Sequence, residues 1–308
     1  MPILELCAGY GGLGMAAEAL TGERIRYVAE SDPHASRILA ARYPDAPNLG
    51  DITSVDWEAL QGEIDIVTAG FPCQGISNAG LRRGLADERS AVWFHALTAI
   101  RTLRPRFVFL ENVAAIRRRG LPEVLGGLAA IGYDAKWCSF RASEIGAPHH
   151  RDRWFCLAVP EGSGAREEVA FDAQGGGEHR DAGAAGGARA LPYSDSLRRS
   201  RGAGRVEEHP GRPELEDARY SPAAWWGDYL PAVRRWEDLT GRPSPAPTER
   251  GPRGGIRLTP AWTEWLMGLP AGWVTDVPGL GRKEQLRAIG NGVIPAQAFA
   301  AFHHLLQH

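Results

Sequence analysis

Cys73 and Glu111 are the two residues whose types and settings suit a shared reaction. The cysteine stands in Gly70-Phe71-Pro72-Cys73-Gln74-Gly75, just after the apolar run Ile64-Asp65-Ile66-Val67-Thr68-Ala69. That run has the composition of a strand buried on both faces. Glu111 opens Glu111-Asn112-Val113 after a second such run, Phe107-Val108-Phe109-Leu110. Both groups then project from the carboxyl ends of parallel strands, where open α/β sheets bind ligands. A thiolate beside an acid suits attack on an electron-poor ring that must be protonated as it is attacked. Arg151 and Arg153 are candidates to supply the cationic field that lowers a thiol pKa.

A third strand, Ile3-Leu4-Glu5-Leu6, runs into Cys7-Ala8-Gly9-Tyr10-Gly11-Gly12. Glycine lets backbone turn tightly and approach a ligand. The spacing is not that of a phosphate cradle. Glu30 closes the next strand, where a carboxylate can take both ribose hydroxyls. Asp51, in Gly50-Asp51-Ile52, is placed to accept an adenine amino group. Together these describe a nucleoside site.

The elements that must position these groups follow from periodicity. Strands are predicted over 2–6, 25–29, 64–69, 106–110, 135–140 and 153–159. Helices are predicted near 12–20, 33–42, 89–103 and 121–131. Alternation of this kind implies an α/β fold with a doubly wound, mostly parallel sheet. The pattern stops at Pro160. Residues 161–190 are rich in Gly, Ala and charge, and read as a disordered linker. Trp225, Trp226, Tyr229 and Trp236 read as the small core of an insert. A Pro-rich stretch spans 243–252, a helical pattern resumes at Thr259, and a last helix is expected from Pro295 to Leu306. The expected division is 1–160, an insert over 161–256, and a segment 257–308 that completes the first domain.

The chain has 308 residues, 44% of them hydrophobic, enough for a large core. No apolar run reaches membrane-spanning length and no secretory leader opens the sequence, so a cytoplasmic location is expected. The four cysteines, Cys7, Cys73, Cys138 and Cys156, lack zinc-site spacing or a disulfide pattern. No metal is expected. Net charge is −2, so bulk charge does not announce a nucleic-acid binder; a local basic cleft is required instead. Nearly all positive charge is arginine, with lysine only at 136 and 283.

The order of glycine loop, Phe71-Pro72-Cys73-Gln74 and Glu111-Asn112-Val113 resembles the DNA cytosine-5 methyltransferase family. The resemblance continues in Ala147-Pro148-His149-His150-Arg151-Asp152-Arg153, Arg257-Leu258-Thr259-Pro260 and Ile289-Gly290-Asn291-Gly292-Val293-Ile294-Pro295. It implies an S-adenosylmethionine-dependent methyltransferase fold with a small inserted target-recognition domain, in an enzyme of the restriction–modification kind. It implies that Cys73 adds to cytosine C6 while Glu111 assists at N3 and N4, with Arg151 and Arg153 beside them. The cofactor would lie on Cys7, Ala8, Gly9, Tyr10, Gly11, Gly12, Glu30, Ser31, Asp51, Ile52, Asn291, Gly292 and Val293. The partner would be double-stranded DNA, met by a monomer. Its target base would be rotated out of the stack, with Gln74 filling the gap and Ser77, Arg82 and Arg83 on the backbone. Arginines at 198, 199, 201, 205, 234, 235 and 242 are candidates to read bases. Two departures stand out: Cys7 where the family usually has phenylalanine, and His149 where it has glutamine. The tRNA-acting branch usually carries Pro-Pro-Cys-Gln, so Phe71 favours DNA over an RNA methyltransferase. The intact Cys73 and Glu111 argue against a catalytically silent homologue.

Overall fold

The computed structural model describes residues 1–72, 88–163 and 226–307, the side chains of 88–91 excepted. Six strands form one sheet: β1 (Ile3–Leu6), β2 (Ile25–Ala29), β3 (Ile66–Gly70), β4 (Phe107–Val113), β5 (Tyr133–Arg141) and β6 (Asp152–Pro160). Their spatial order is β2-β1-β3-β4-β6-β5. Pairings among β2, β1, β3 and β4 are parallel, and β6 alone runs against its neighbours. The fold is therefore α/β with a mostly parallel sheet, as the alternation predicts. Strand order reverses at β1, beside β3. The ligand crevice of a doubly wound sheet opens at such a point, off the carboxyl ends.

The inner strands β1, β3, β4 and β6 are almost continuously buried because both faces are covered, whereas the edge strands β2 and β5 carry exposed polar residues. One face packs on α3 (Glu88–Leu103) and α5 (Leu121–Ala130), through Trp93, Ala96, Ile100, Val124 and Leu128. The other packs on α1 (Gly12–Thr21), α2 (Pro33–Arg42) and a helix from far along the chain, Pro295–Gln307. Phe302 of that helix meets Phe109 at 4.6 Å and Phe155 at 5.5 Å between ring centroids. The proline at its first turn fits the missing N–H and fixed φ of that position. In chain order it is α9. Before it come α4 (Ile116–Arg119), α6 (Leu230–Thr240), α7 (Pro260–Leu266) and α8 (Arg282–Asn291), with a hairpin of β7 (Thr248–Arg250) and β8 (Ile256–Leu258) between α6 and α7.

A third cluster joins the late helices to the glycine loop. Val233 and Trp236 of α6 share it with Trp265, Trp273, Ile289, Met15 and Tyr10. Trp236 is thus not the core of a separate insert. It is fully buried against the C-terminal segment, its indole donating to the Trp265 carbonyl at 3.0 Å. Trp226 stacks on Trp262 with centroids 6.0 Å apart. Among the described residues no helix is long and apolar enough to cross a membrane.

Candidate active site

The carboxyl ends of β1, β2, β3 and β4 open into one cavity of about 980 Å³. Of the residues expected there, Cys7, Gly9, Glu30, Ser31, Asp51, Ile52, Glu111, Arg153 and Asn291 line it. Ala8, Tyr10, Gly11, Gly12, Arg151, Gly292 and Val293 are not among its lining residues. Cys73, Gln74, Ser77, Arg82 and Arg83 lie outside the described residues, as do the arginines at 198, 199, 201 and 205.

Strand register brings Glu111 level with Gly70 on the adjacent strand. The Glu111 carboxylate is 3.0 Å from Arg153 Nε. Antiparallel pairing supplies that arginine, since β6 sets Arg153 opposite Val113. Burial pushes Glu111 up to about 6, against the pull of Arg153 and Arg151. The carboxyl group therefore changes protonation close to neutral pH, as a group that shuttles a proton must. Asn112 is buried too, and its Nδ2 donates to the Phe71 carbonyl at 2.8 Å. The end of β4 thereby holds the chain one residue before Pro72.

At the other end of the cavity, Glu30 Oε2 accepts from Gly9 N at 2.8 Å and Oε1 from Asp32 N at 2.7 Å. The acid closes the glycine loop onto β2 and still lines the cavity. Asp51 is exposed, and a hydrogen bond from Thr53 N at 2.9 Å holds its carboxyl below the usual range. Five carboxylates (Glu30, Asp32, Asp51, Glu111, Glu284) and two arginines (Arg153, Arg287) line the cavity. The excess of negative charge favours a cationic ligand.

Sequence reading did not anticipate how the glycine loop is held. Tyr10 is fully buried, turned to the C-terminal segment, and its hydroxyl donates to Val293 O at 2.6 Å. A Cβ on Gly292 would fall inside the Tyr10 ring, and one on Gly12 would lie 2.5 Å from Val293 O. Close packing of two distant segments thus accounts for both glycines. Trp273 Nε1 donates to the Tyr10 carbonyl at 2.9 Å. Trp273 is placed in turn by buried Glu264, which accepts from Gly272 N at 2.8 Å and from Thr275 N and Oγ1 at 3.1 and 3.0 Å. Buried acid is the signal that could have found this clamp, but only with its partners known.

Arg151 donates to the Gly292 carbonyl, and to Gly290 O at 3.3 Å. It ties the cavity wall to the end of α8. His149 contacts Leu266 O at 3.1 Å, and burial lowers its pKa. Arg235 donates to Gly146 O at 3.3 Å, Arg242 to Leu269 O, and Arg234 pairs with Glu237 at 2.9 Å. Among the described residues no cluster of three or more His, Cys, Asp or Glu is placed to hold a metal.

Comparison with known proteins gives this geometry a relationship. The model of the family described as C-5 cytosine-specific DNA methylase matches residues 1–176. The chain is 36% identical over 157 residues to the type II methyltransferase M.CviJI of Paramecium bursaria Chlorella virus IL3A, covering 51% of this chain and 42% of that one. It is 34% identical over 168 residues to M.HpaII of Haemophilus parainfluenzae, covering 52% and 46%. The match thus spans less than half the length of either relative. Among solved structures, a mutant of Spodoptera frugiperda DNMT2 aligns with TM-score 0.62 at 16% identity, covering 100% of this chain and 99% of that one. The S. pombe Dnmt2 methyltransferase aligns with TM-score 0.61 at 17% identity, covering 99% and 98%. At such identities the likeness is one of fold.

Proposed function

Because the chain belongs to the C-5 cytosine-specific DNA methylase family, we propose that it methylates C5 of cytosine in a particular sequence of duplex DNA. The observation that carries this reading is the pairing of Glu111 with Arg153 at 3.0 Å, beside a strand end whose Phe71 carbonyl is held by Asn112.

The family's chemistry is S-adenosylmethionine-dependent, and the cavity suits that group. Glu30 and Asp51 offer acceptors for ribose hydroxyls and an adenine amino group, Ile52 and Phe71 offer apolar surface, and the carboxylate excess suits a sulfonium. When bound, the cofactor supplies an electrophilic methyl group. On this reading Cys73 adds to C6 of a cytosine rotated out of the duplex. Glu111 holds a proton at N3 and accepts from N4, so that charge arising on addition is neutralised. Arg153 keeps the carboxyl in place and balances it when ionised. Burial raises the other three thiols, Cys7 to about 12, Cys138 to about 11 and Cys156 further, so none of them is a nucleophile at neutral pH. Gln74, Ser77, Arg82 and Arg83 would meet the DNA, and residues 161–256 would include the recognition insert.

The test is methyl transfer to duplex DNA carrying 5-fluorocytosine, with tRNA as a parallel substrate. A covalent adduct is expected with DNA, because fluorine at C5 cannot leave as a proton. Cys73→Ala should form none, and Glu111→Gln should slow its formation by roughly 10²–10⁴-fold, the range of a lost acid–base group. An adduct that survives Cys73→Ala, or one formed on tRNA alone, would overturn the reading.

A further inference from the structure

A two-stranded hairpin is marginal in water by itself, and β7–β8 leaves nearly all its strand residues exposed. It is held from one side. Glu249 pairs with Arg257 across the strands at 2.8 Å and lies 3.9 Å from Arg282 at the start of α8. Arg282 donates to Leu258 O at 2.7 and 3.2 Å. Thr259 N, donating to Pro247 O at 3.0 Å, closes the base. Since side chains alternate along a strand, the register Thr248↔Leu258, Glu249↔Arg257, Arg250↔Ile256 sorts them. Glu249 and Arg257 share the anchored face. Thr248, Arg250, Ile256 and Leu258 share the other.

That outer face exposes Ile256 at 78% and Leu258 at 38%. The tip closes with Gly251 N to Gly255 O at 2.8 Å and presents Arg253 to solvent. Among the described residues Arg250 and Arg253 have no ion-pair partner. Residues 248–258 hold three arginines and one glutamate, a local charge of +2 on a chain of −2. A basic ribbon with an apolar stripe fits a polyanion that also offers methyl groups. The major groove of B-DNA, about 12 Å wide, admits a two-stranded ribbon, shows guanine O6 and N7 to arginine and shows the thymine methyl to apolar side chains. The helix that anchors the hairpin also lines the cavity, through Glu284, Arg287, Ala288 and Asn291. From Arg282 to Asn291, which lines the cavity, α8 climbs roughly 14 Å at about 1.5 Å per residue. That is about four steps of base pairs at roughly 3.4 Å each.

We propose that the β7–β8 hairpin reads the DNA sequence from the major groove, with Arg253 at a guanine edge and Ile256 against a thymine methyl. The assignment rests on the proposed DNA function and adds the element that sets its specificity. The experiment is bisulfite sequencing of a random duplex library treated with the full chain, Arg253→Ala or Ile256→Ser, at two salt concentrations. Both positions are exposed, so melting temperature and cofactor affinity should match the parent. Arg253→Ala should lose preference at one base position by about tenfold or more (~1.4 kcal/mol per factor of ten), with the other positions unchanged. Ile256→Ser should relax a different position. If both variants keep the parental motif and rate, the hairpin does not touch DNA. If both lose rate equally at every sequence and show a flatter salt dependence, the hairpin grips phosphates and is not the reader. A parental self-association that Ile256→Ser abolishes, with the motif intact, would assign the face to a second copy. Each of these overturns the assignment. If the parent methylates no duplex at all, the proposed function fails first, and the hairpin assignment falls with it.

Discussion

A carboxyl group taken out of water and only partly resolvated holds its proton, and Glu5 does so next to the glycine loop. One oxygen accepts from Leu13 N at 3.1 Å at the start of α1, and burial outweighs the pull of the backbone N–H groups of Gly14 and Leu13. Burial raises its pKa to about 8 from an ordinary 4.5. The folded chain thus binds more protons than the unfolded chain between those values, so stability must fall as pH rises through that window. The contribution is complete below about pH 4.5 and lost above about pH 8, with a slope of up to ~1.4 kcal/mol per pH unit. Glu5→Gln, which cannot ionise, should melt increasingly above the parent as pH goes from 5 to 8.5 in calorimetry. Parallel curves would refute the buried-acid account. Residues of this kind divide by how locally they are determined. Glu111 was legible because a strand end and an adjacent Asn-Val fix its setting within a few residues. Tyr10 was not, because its hydroxyl partner Val293 is 283 positions away.

At the scale of elements, the strands were legible to within about three residues, the inner ones because burial on both faces forces continuous apolar runs. Among the described elements, the helices α4, α6 and α8 and the β7–β8 hairpin escaped. α8, Arg-Lys-Glu-Gln-Leu-Arg-Ala-Ile-Gly-Asn, offers a thin apolar stripe and buries only Ile289. The β7–β8 hairpin has strands of three residues beside a proline-rich run, too short for alternation to register. The loop between α7 and α8 holds the clamp on the glycine loop, and Trp273 is its working part. Trp273→Phe keeps the ring contact with Tyr43, centroids 5.8 Å apart, but leaves the Tyr10 carbonyl without its indole donor. The expected cost is roughly 1–3 kcal/mol of stability. Because the same loop carries Gly9, cofactor affinity should weaken several-fold in titration calorimetry while kcat at saturating cofactor stays near the parental value. Lower stability with unchanged affinity would mean the bond serves packing alone.

Over the whole molecule, one layer of the sheet is finished by a helix that arrives late. Ala298, Ala301 and Phe302 of α9 are fully buried in the same cluster as Leu13, Phe109 and Phe155. The segment 257–308 was expected to complete the first domain, and α9 packs in one cluster with α1, β4 and β6. Residues 1–255 expressed without the remainder should behave as a compact, dye-binding state without fixed side-chain packing. Adding a separate 256–308 peptide should restore a cooperative melt. Independent cooperative folding of 1–255 would contradict this. The dependence has a clock attached when the protein is made. β6 ends at Pro160 and α9 begins at Pro295, 135 residues later. At roughly 5–20 residues per second of synthesis, the nascent sheet waits about 7–30 s with the part of that face which α9 covers left open. For that interval the sheet is open to other nascent chains, so yield in a cell should depend on holdase chaperones and on translation speed between those two prolines.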